Sequence, residues 1–296
     1  MRRSVLAGSL FVAGLALSVA APVTATPTGT GPVGSQAVLI GNGYARSNLT
    51  LQVEDGKNVS TQTITVAPGE VIDWGAEPVN VVAMMQAGAL TSYPSCSGKE
   101  VWEEGHAYPF ASPGVVKNEG KDPAEVLAVV SNALSKAEMP HAGHDHGSSP
   151  LEPMEAPPAC PTGTAAKGTD DGSGVSVGSS QFTQKEHKQI AIYQITLQPG
   201  YSTDWHTHPG PTLVIQTKGT LDNWTSCKDK EVWDPGYAYF HAPGHTHQNM
   251  TNNTGKEPAE FVIVFFDLPQ DYPPEVPPVI KAPPPADCPL QFMTTM

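Results

Sequence analysis

Apolar residues fall in short runs separated by Gly or Pro-Gly, the pattern of strands rather than of amphipathic helices. Ile190 to Leu197 and Thr212 to Gln216 are rich in β-branched and aromatic residues, and Phe261 to Phe266 is an unbroken apolar run. Only Ala124 to Lys136 has helical character. Its counterpart later in the chain begins Ala259-Glu260-Phe261-Val262, so Glu125 to Val130 is predicted to be a strand with at most a short helix behind it. Many short strands at this spacing predict an all-β sandwich or barrel.

The pattern occurs twice. A shift of 131 positions lays Ile64 to Phe110 over Ile195 to His241 without a gap, with about 18 of the 47 pairs identical, which marks a duplicated unit. Pro68-Gly69 matches Pro199-Gly200, Asp73-Trp74 matches Asp204-Trp205, and Lys99 to Trp102 matches Lys230 to Trp233. After a stretch of different loop length the copies rejoin at Gly120 to Glu125 against Gly255 to Glu260.

Composition then sets the compartment and the boundaries. The chain opens Met1-Arg2-Arg3, continues with an apolar run from about Val5 to Val19, and offers a small-x-small cleavage site at Val23-Thr24-Ala25. That is the pattern of a signal peptide, too short for a membrane span, and it predicts a secreted or extracytoplasmic protein without a membrane-spanning segment. Many of the 30 prolines cluster near 140–161 and 269–289, which reads as connector and tail. The expected organisation is a signal peptide (1–25), a linker (26–35), a first barrel (36–138), a Pro/His-rich connector (139–168), a second barrel (169–268) and a Pro-rich tail (269–296). A formal charge of -13 argues against nucleic acid or an anionic membrane surface as partner.

The four cysteines follow the duplication. Cys96 matches Cys227, and Cys160 and Cys288 each close a proline-rich segment. Of the three pairings open to four cysteines, Cys96 with Cys160 and Cys227 with Cys288 treats the copies alike within each unit, stapling each tail to its own barrel. Pairing between chains, or free thiols, would leave that symmetry unused.

Chemistry is sought where the copies differ. Gly75, Glu77 and the loop from Val115 to Lys117 stand opposite His206, His208 and the segment His245 to His247. Residues i and i+2 of a strand share a face, so His206 and His208 can aim at one ion, with His247 as third ligand from a turn leading into another strand. His245 reads as a neighbour or an alternative ligand, and His241, opposite Phe110, can face either way. His141, His144 and His146 lie in the connector, where a solvated tract is the simpler reading. Trp205 and Trp233 have partners Trp74 and Trp102 in the histidine-poor copy and are expected to be core.

On these residues the second copy resembles the cupin superfamily. Gly200, His206, His208 and Gly219 fall on its first motif, with Thr212 at the usual glutamate, and Gly236, Gly244 and His247 fall on its second, with Ala242 and Thr251 at the usual proline and asparagine. The resemblance implies two tandem cupin barrels, of double-stranded β-helix or jelly-roll type, with one divalent transition metal on His206, His208 and His247 of the second. Three neutral imidazoles do not choose among iron, copper, zinc, manganese and nickel. The implied function is an exported bicupin, a metal-dependent oxidoreductase of the dioxygenase type acting on a small molecule, or a non-catalytic module that binds a small ligand or metal. Barrels of this family often pair edge to edge, so a homo-oligomer is compatible with the resemblance.

Overall fold

The computed structural model describes residues 34–73, 80–94, 96, 98–111, 114–133, 160–241, 248–273, 276–286 and 288. The expected signal peptide, most of the linker and connector, the three connector histidines and the segment carrying His245 and His247 lie outside them. The first copy contributes β1 (Ser35–Ala45), β2 (Leu49–Val53), β3 (Asn58–Val66), β4 (Val71–Ile72), β5 (Asn80–Ala87), β6 (Ala89–Pro94), β7 (Glu100–Glu103), β8 (His106–Ala111), β9 (Gly114–Lys117) and β10 (Ala124–Ala133). The second contributes β11 (Lys167–Ser176), β12 (Ser180–Gln184), β13 (Gln189–Leu197), β14 (His206–Thr207), β15 (Thr212–Lys218), β16 (Leu221–Trp224), β17 (Lys230–Trp233), β18 (Tyr237–His241), β19 (Met250–Asn252), β20 (Ala259–Leu268) and β21 (Ile280–Lys281).

The architecture is all-β, a pair of tandem jelly-roll barrels, as the repeat predicts. The strand expected over Glu125 to Val130 is longer, reaching Ala133 as β10. No helix among the described residues is long and apolar enough to cross a membrane.

The copies are joined by reciprocal strand exchange. β1 runs antiparallel to β13 of the second copy, from Ser35 opposite Leu197 to Tyr44 opposite Gln189. β11 runs antiparallel to β3 of the first, from Lys167 opposite Thr65 to Val175 opposite Asn58. Each exchanged strand ends beside its own copy, with Tyr44 opposite His106 and Val175 opposite Tyr237 in short parallel pairings. One closed sheet results, in the order β1, β13, β20, β15, β18, β11, β3, β10, β5, β8. Smaller sheets complete each barrel: β4, β9, β6 and β7 in the first, and β17, β16 and β19 in the second.

This arrangement explains why β20 is apolar on both faces. Phe261, Ile263 and Phe265 point into the second barrel with Tyr193, Val214 and Trp233. Val262, Val264 and Phe266 point the other way, into a core built by both copies with Leu51, Val82, Leu127, Ile192 and Leu213. A strand covered on both sides has no polar face to alternate with. In the first copy Val126, Ala128 and Val130 face the barrel interior around Trp102 and Tyr108. Trp205 and Trp233 are 4% and 2% exposed, core residues as expected, whereas Trp74 lies outside the described residues.

Both expected disulfides are present, Cys96 with Cys160 and Cys227 with Cys288, with Cα atoms 4.5 and 5.0 Å apart. The second anchors the tail, which crosses the second barrel on the way to Cys288. Tyr193 donates its hydroxyl to the Val276 carbonyl at 3.1 Å, β21 pairs with β14, and the Ala282 amide donates to the Trp205 carbonyl at 2.9 Å.

Candidate metal centre

His206 and His208 sit on a short edge held from both sides. β14 pairs with β21 of the tail, and the backbone of His206 exchanges two hydrogen bonds with Asn249, both 2.9 Å. The chain then passes so close to β20 that a Cβ at Gly210 would run into the Phe266 carbonyl, so only glycine fits two residues after His208. Both imidazoles are buried, 5% and 9% exposed, with ring centroids 4.9 Å apart and planes at 71°. The ring of Phe265 packs 5.2 Å from that of His208.

The hydrogen bonds decide which nitrogen each ring offers. His206 places Nδ1 2.9 Å from the Asp204 carbonyl, and His208 places Nδ1 3.0 Å from the Pro278 carbonyl. A carbonyl only accepts, so each Nδ1 carries a hydrogen and donates it. Burial lowers the pKa of both rings. For His206 the Asp204 carbonyl opposes the shift, and for His208 burial together with the neighbouring His206 brings the value to about 3. Both are neutral at ordinary pH, and a neutral imidazole with hydrogen on Nδ1 has its lone pair on Nε2, the form that binds metal.

The spacing also fits a shared ion. Two imidazoles bound through Nε2 at about 2.1 Å and near a right angle would have centroids on the order of 4.6 Å apart. Two nitrogens are not a complete ligand set, and the described residues contain no group of three or more His, Cys, Asp or Glu that could hold a metal. His247, the expected third ligand, and His245 lie outside the described residues.

Three further side chains belong to this neighbourhood. Thr212, where the cupin motif carries glutamate, is fully buried opposite Phe265 and His241 in its two ladders, and its hydroxyl has no hydrogen-bond partner among the described residues. His241 packs edge-on to Trp233, 5.2 Å between ring centroids, and adds to the lowering of the His208 pKa. Asn249 places Nδ2 2.9 Å from His241 Nδ1 and keeps a buried Oδ1 without a partner among the described residues. In the first copy Phe110 takes the place of His241, edge-on to Trp102 at 6.2 Å. His241 thus faces inward, which its alignment with Phe110 left open, while Asn249 carried no signal in the chain.

No family model and no curated protein matches this chain. Among solved structures it is similar to a variant oxalate decarboxylase of Bacillus subtilis, 14% identical over 80% of this chain and 78% of that one, with a TM-score of 0.33. It is similar to a cupin 2 conserved barrel domain protein from Leptotrichia buccalis, 11% identical over 77% of this chain and 97% of that one, TM-score 0.27. It is also similar to a DMSP lyase from Ruegeria pomeroyi, 21% identical over 26% of this chain and 38% of that one, TM-score 0.24. The chain thus spans well under half of that lyase, and about half, 52%, of a cupin-superfamily sugar phosphate isomerase from Silicibacter pomeroyi. These likenesses are loose and say nothing of what this chain binds.

Proposed function

We propose that the second barrel holds one divalent transition metal on Nε2 of His206 and His208, with His247 as third ligand, in an exported bicupin that acts on a small molecule. The observation that carries this reading is the paired commitment of both Nδ1 atoms to backbone carbonyls, beside rings that burial keeps neutral. Three imidazoles would leave the ion its full positive charge and a position open to a small molecule, the setting of a Lewis acid or a redox centre. The chain's own residues hold the ligand in place: Phe265 packs on the His208 ring, the tail binds its Nδ1, and the buried hydroxyl of Thr212 is left to bond whatever enters. Two disulfides fit an oxidising compartment, and the leader at 1–25 would deliver the chain there.

Within this reading, oxidoreductase activity of the dioxygenase type competes with plain binding of a small ligand or of metal. Thr212 at the glutamate position favours the second, because it leaves a hydroxyl where a carboxylate could have moved a proton. Oxygen uptake by the metal-loaded protein, offered a panel of small phenols, thiols and organic acids, separates the two. Turnover lost in His206→Ala supports the enzyme; metal retained with no turnover supports the binding module.

A further inference from the structure

The second barrel has an opening in its side. Among the described residues β17 pairs with β16, and β18 with β15 and β11, so no ladder joins β17 to β18 although a tight turn at Gly236 connects them. A cavity of about 660 Å3 lies in this seam. Its walls include Val177, Val232 and Tyr237, which are 51%, 46% and 44% exposed. Its rim carries Glu231 and Asp234, and His241 and Asn249 line it on the side toward His206.

The first copy bridges the same seam with an ion pair. Arg46 holds the backbone place of Val177: its amide donates to the Ala107 carbonyl at 3.0 Å, as the Val177 amide donates to that of Ala238 at 2.9 Å. Glu103 holds the place of Asp234, the amide of each donating to a tyrosine hydroxyl, Tyr108 or Tyr239. Arg46 and Glu103 face each other across the first seam at 3.9 Å. Valine in place of arginine removes that bridge, and Tyr237 in place of His106 adds an aromatic wall. An opening walled by Val177, Val232 and Tyr237 therefore belongs to the copy that carries the paired histidines.

We propose that this seam is the binding site for a small molecule with a flat apolar body and a neutral or cationic head. Val177, Val232 and Tyr237 would cover the body, and the two carboxylates would repel anions such as oxalate while drawing a cation. The site rests on the metal reading only for what the ligand meets behind His241 and Asn249; binding in the seam stands without it.

Calorimetric titration of the full mature chain with benzylamine, benzoate and oxalate tests the assignment, with metal content measured on the same samples. Benzylamine should bind at least about tenfold more tightly than benzoate, and oxalate should not bind in the seam. Val177→Arg, which rebuilds the first copy's bridge toward Asp234, should weaken benzylamine at least about tenfold and leave metal content unchanged. Tyr237→Ala, on an exposed position, should do the same if the arginine variant folds poorly. Benzylamine binding that survives both variants, preference for benzoate, or loss of binding only together with metal would overturn the proposal. Seam binding in a protein that holds no metal would retain it and reject the metal reading alone.

Discussion

His208 is oriented by a residue seventy positions downstream: its Nδ1 donates to the backbone carbonyl of Pro278 at 3.0 Å. The tail that brings this carbonyl is fastened by Cys227–Cys288 and by the pairing of β21 with β14. A proline-rich segment that reads as a mere tail thus sets the tautomer of a candidate ligand, and the disulfide acts on the site through it.

Releasing the tail should therefore weaken metal binding. Cys227→Ser with Cys288→Ser frees Pro278 and should lower affinity about 10-fold to 100-fold, the usual cost of losing a partner that orients a ligand. Cys96→Ser with Cys160→Ser should cost roughly 2–4 kcal/mol of stability and leave affinity unchanged. Chelator competition reads the affinity and urea unfolding the stability. Equal effects of the two pairs on affinity would contradict this role of the tail.

Thr212 buries a hydroxyl that has no hydrogen-bond partner among the described residues. Thr212→Val removes the unpaired group at nearly constant volume, so the stripped protein should gain up to about 1 kcal/mol in urea unfolding. A loss of more than about 1 kcal/mol would mean that the hydroxyl is bonded in solution.

The exchanged strands should make the two copies unfold as one cooperative unit. Phe266 is fully buried in the core they share, and Phe266→Ala should cost about 3–5 kcal/mol and shift one common transition seen by fluorescence of both barrels. Two separate transitions, with only the second displaced, would show that the barrels unfold independently.

Glu119 illustrates how a duplicated network survives a swap of its parts. It accepts from Lys99 at 2.6 Å, from Tyr93 and from Thr91, whereas in the second copy the carboxylate is Asp222, at the place of Thr91, and the hydroxyl is Thr254, at the place of Glu119. The bond from Lys99, then that from Tyr93, holds the Glu119 carboxyl at about 2. A depressed carboxyl contributes stability that is present above the unfolded value of about 4.3 and is lost as pH falls toward 2. Carboxyl NMR titration should place Glu119 at the bottom of the carboxylate range, and Lys99→Met should move it up; an unchanged midpoint would remove the lysine as the cause.

The repeat, the two disulfides, the main strands and the placing of His206 beside His208 are legible in the chain, because each depends on residue type at fixed spacing. The strand exchange is not, since β1 and β11 carry similar patterns and nothing local says which copy's sheet receives them. Nor is the bond to Pro278, because a backbone carbonyl leaves no mark in side-chain chemistry. The orientation of His241 needed the packing on Trp233 to settle it. Nor is the seam legible, because it depends on Arg46 and Val177 sharing one backbone place while only the arginine can pair with the carboxylate across from it.

Elemental analysis of the purified mature protein beside the His206→Ala, His208→Ala, His247→Ala triple variant tests the metal centre most directly. The proposed centre requires about one equivalent of a transition metal in the first and none in the second. No metal in the unmodified protein after careful reconstitution, or the same amount in both, would contradict it.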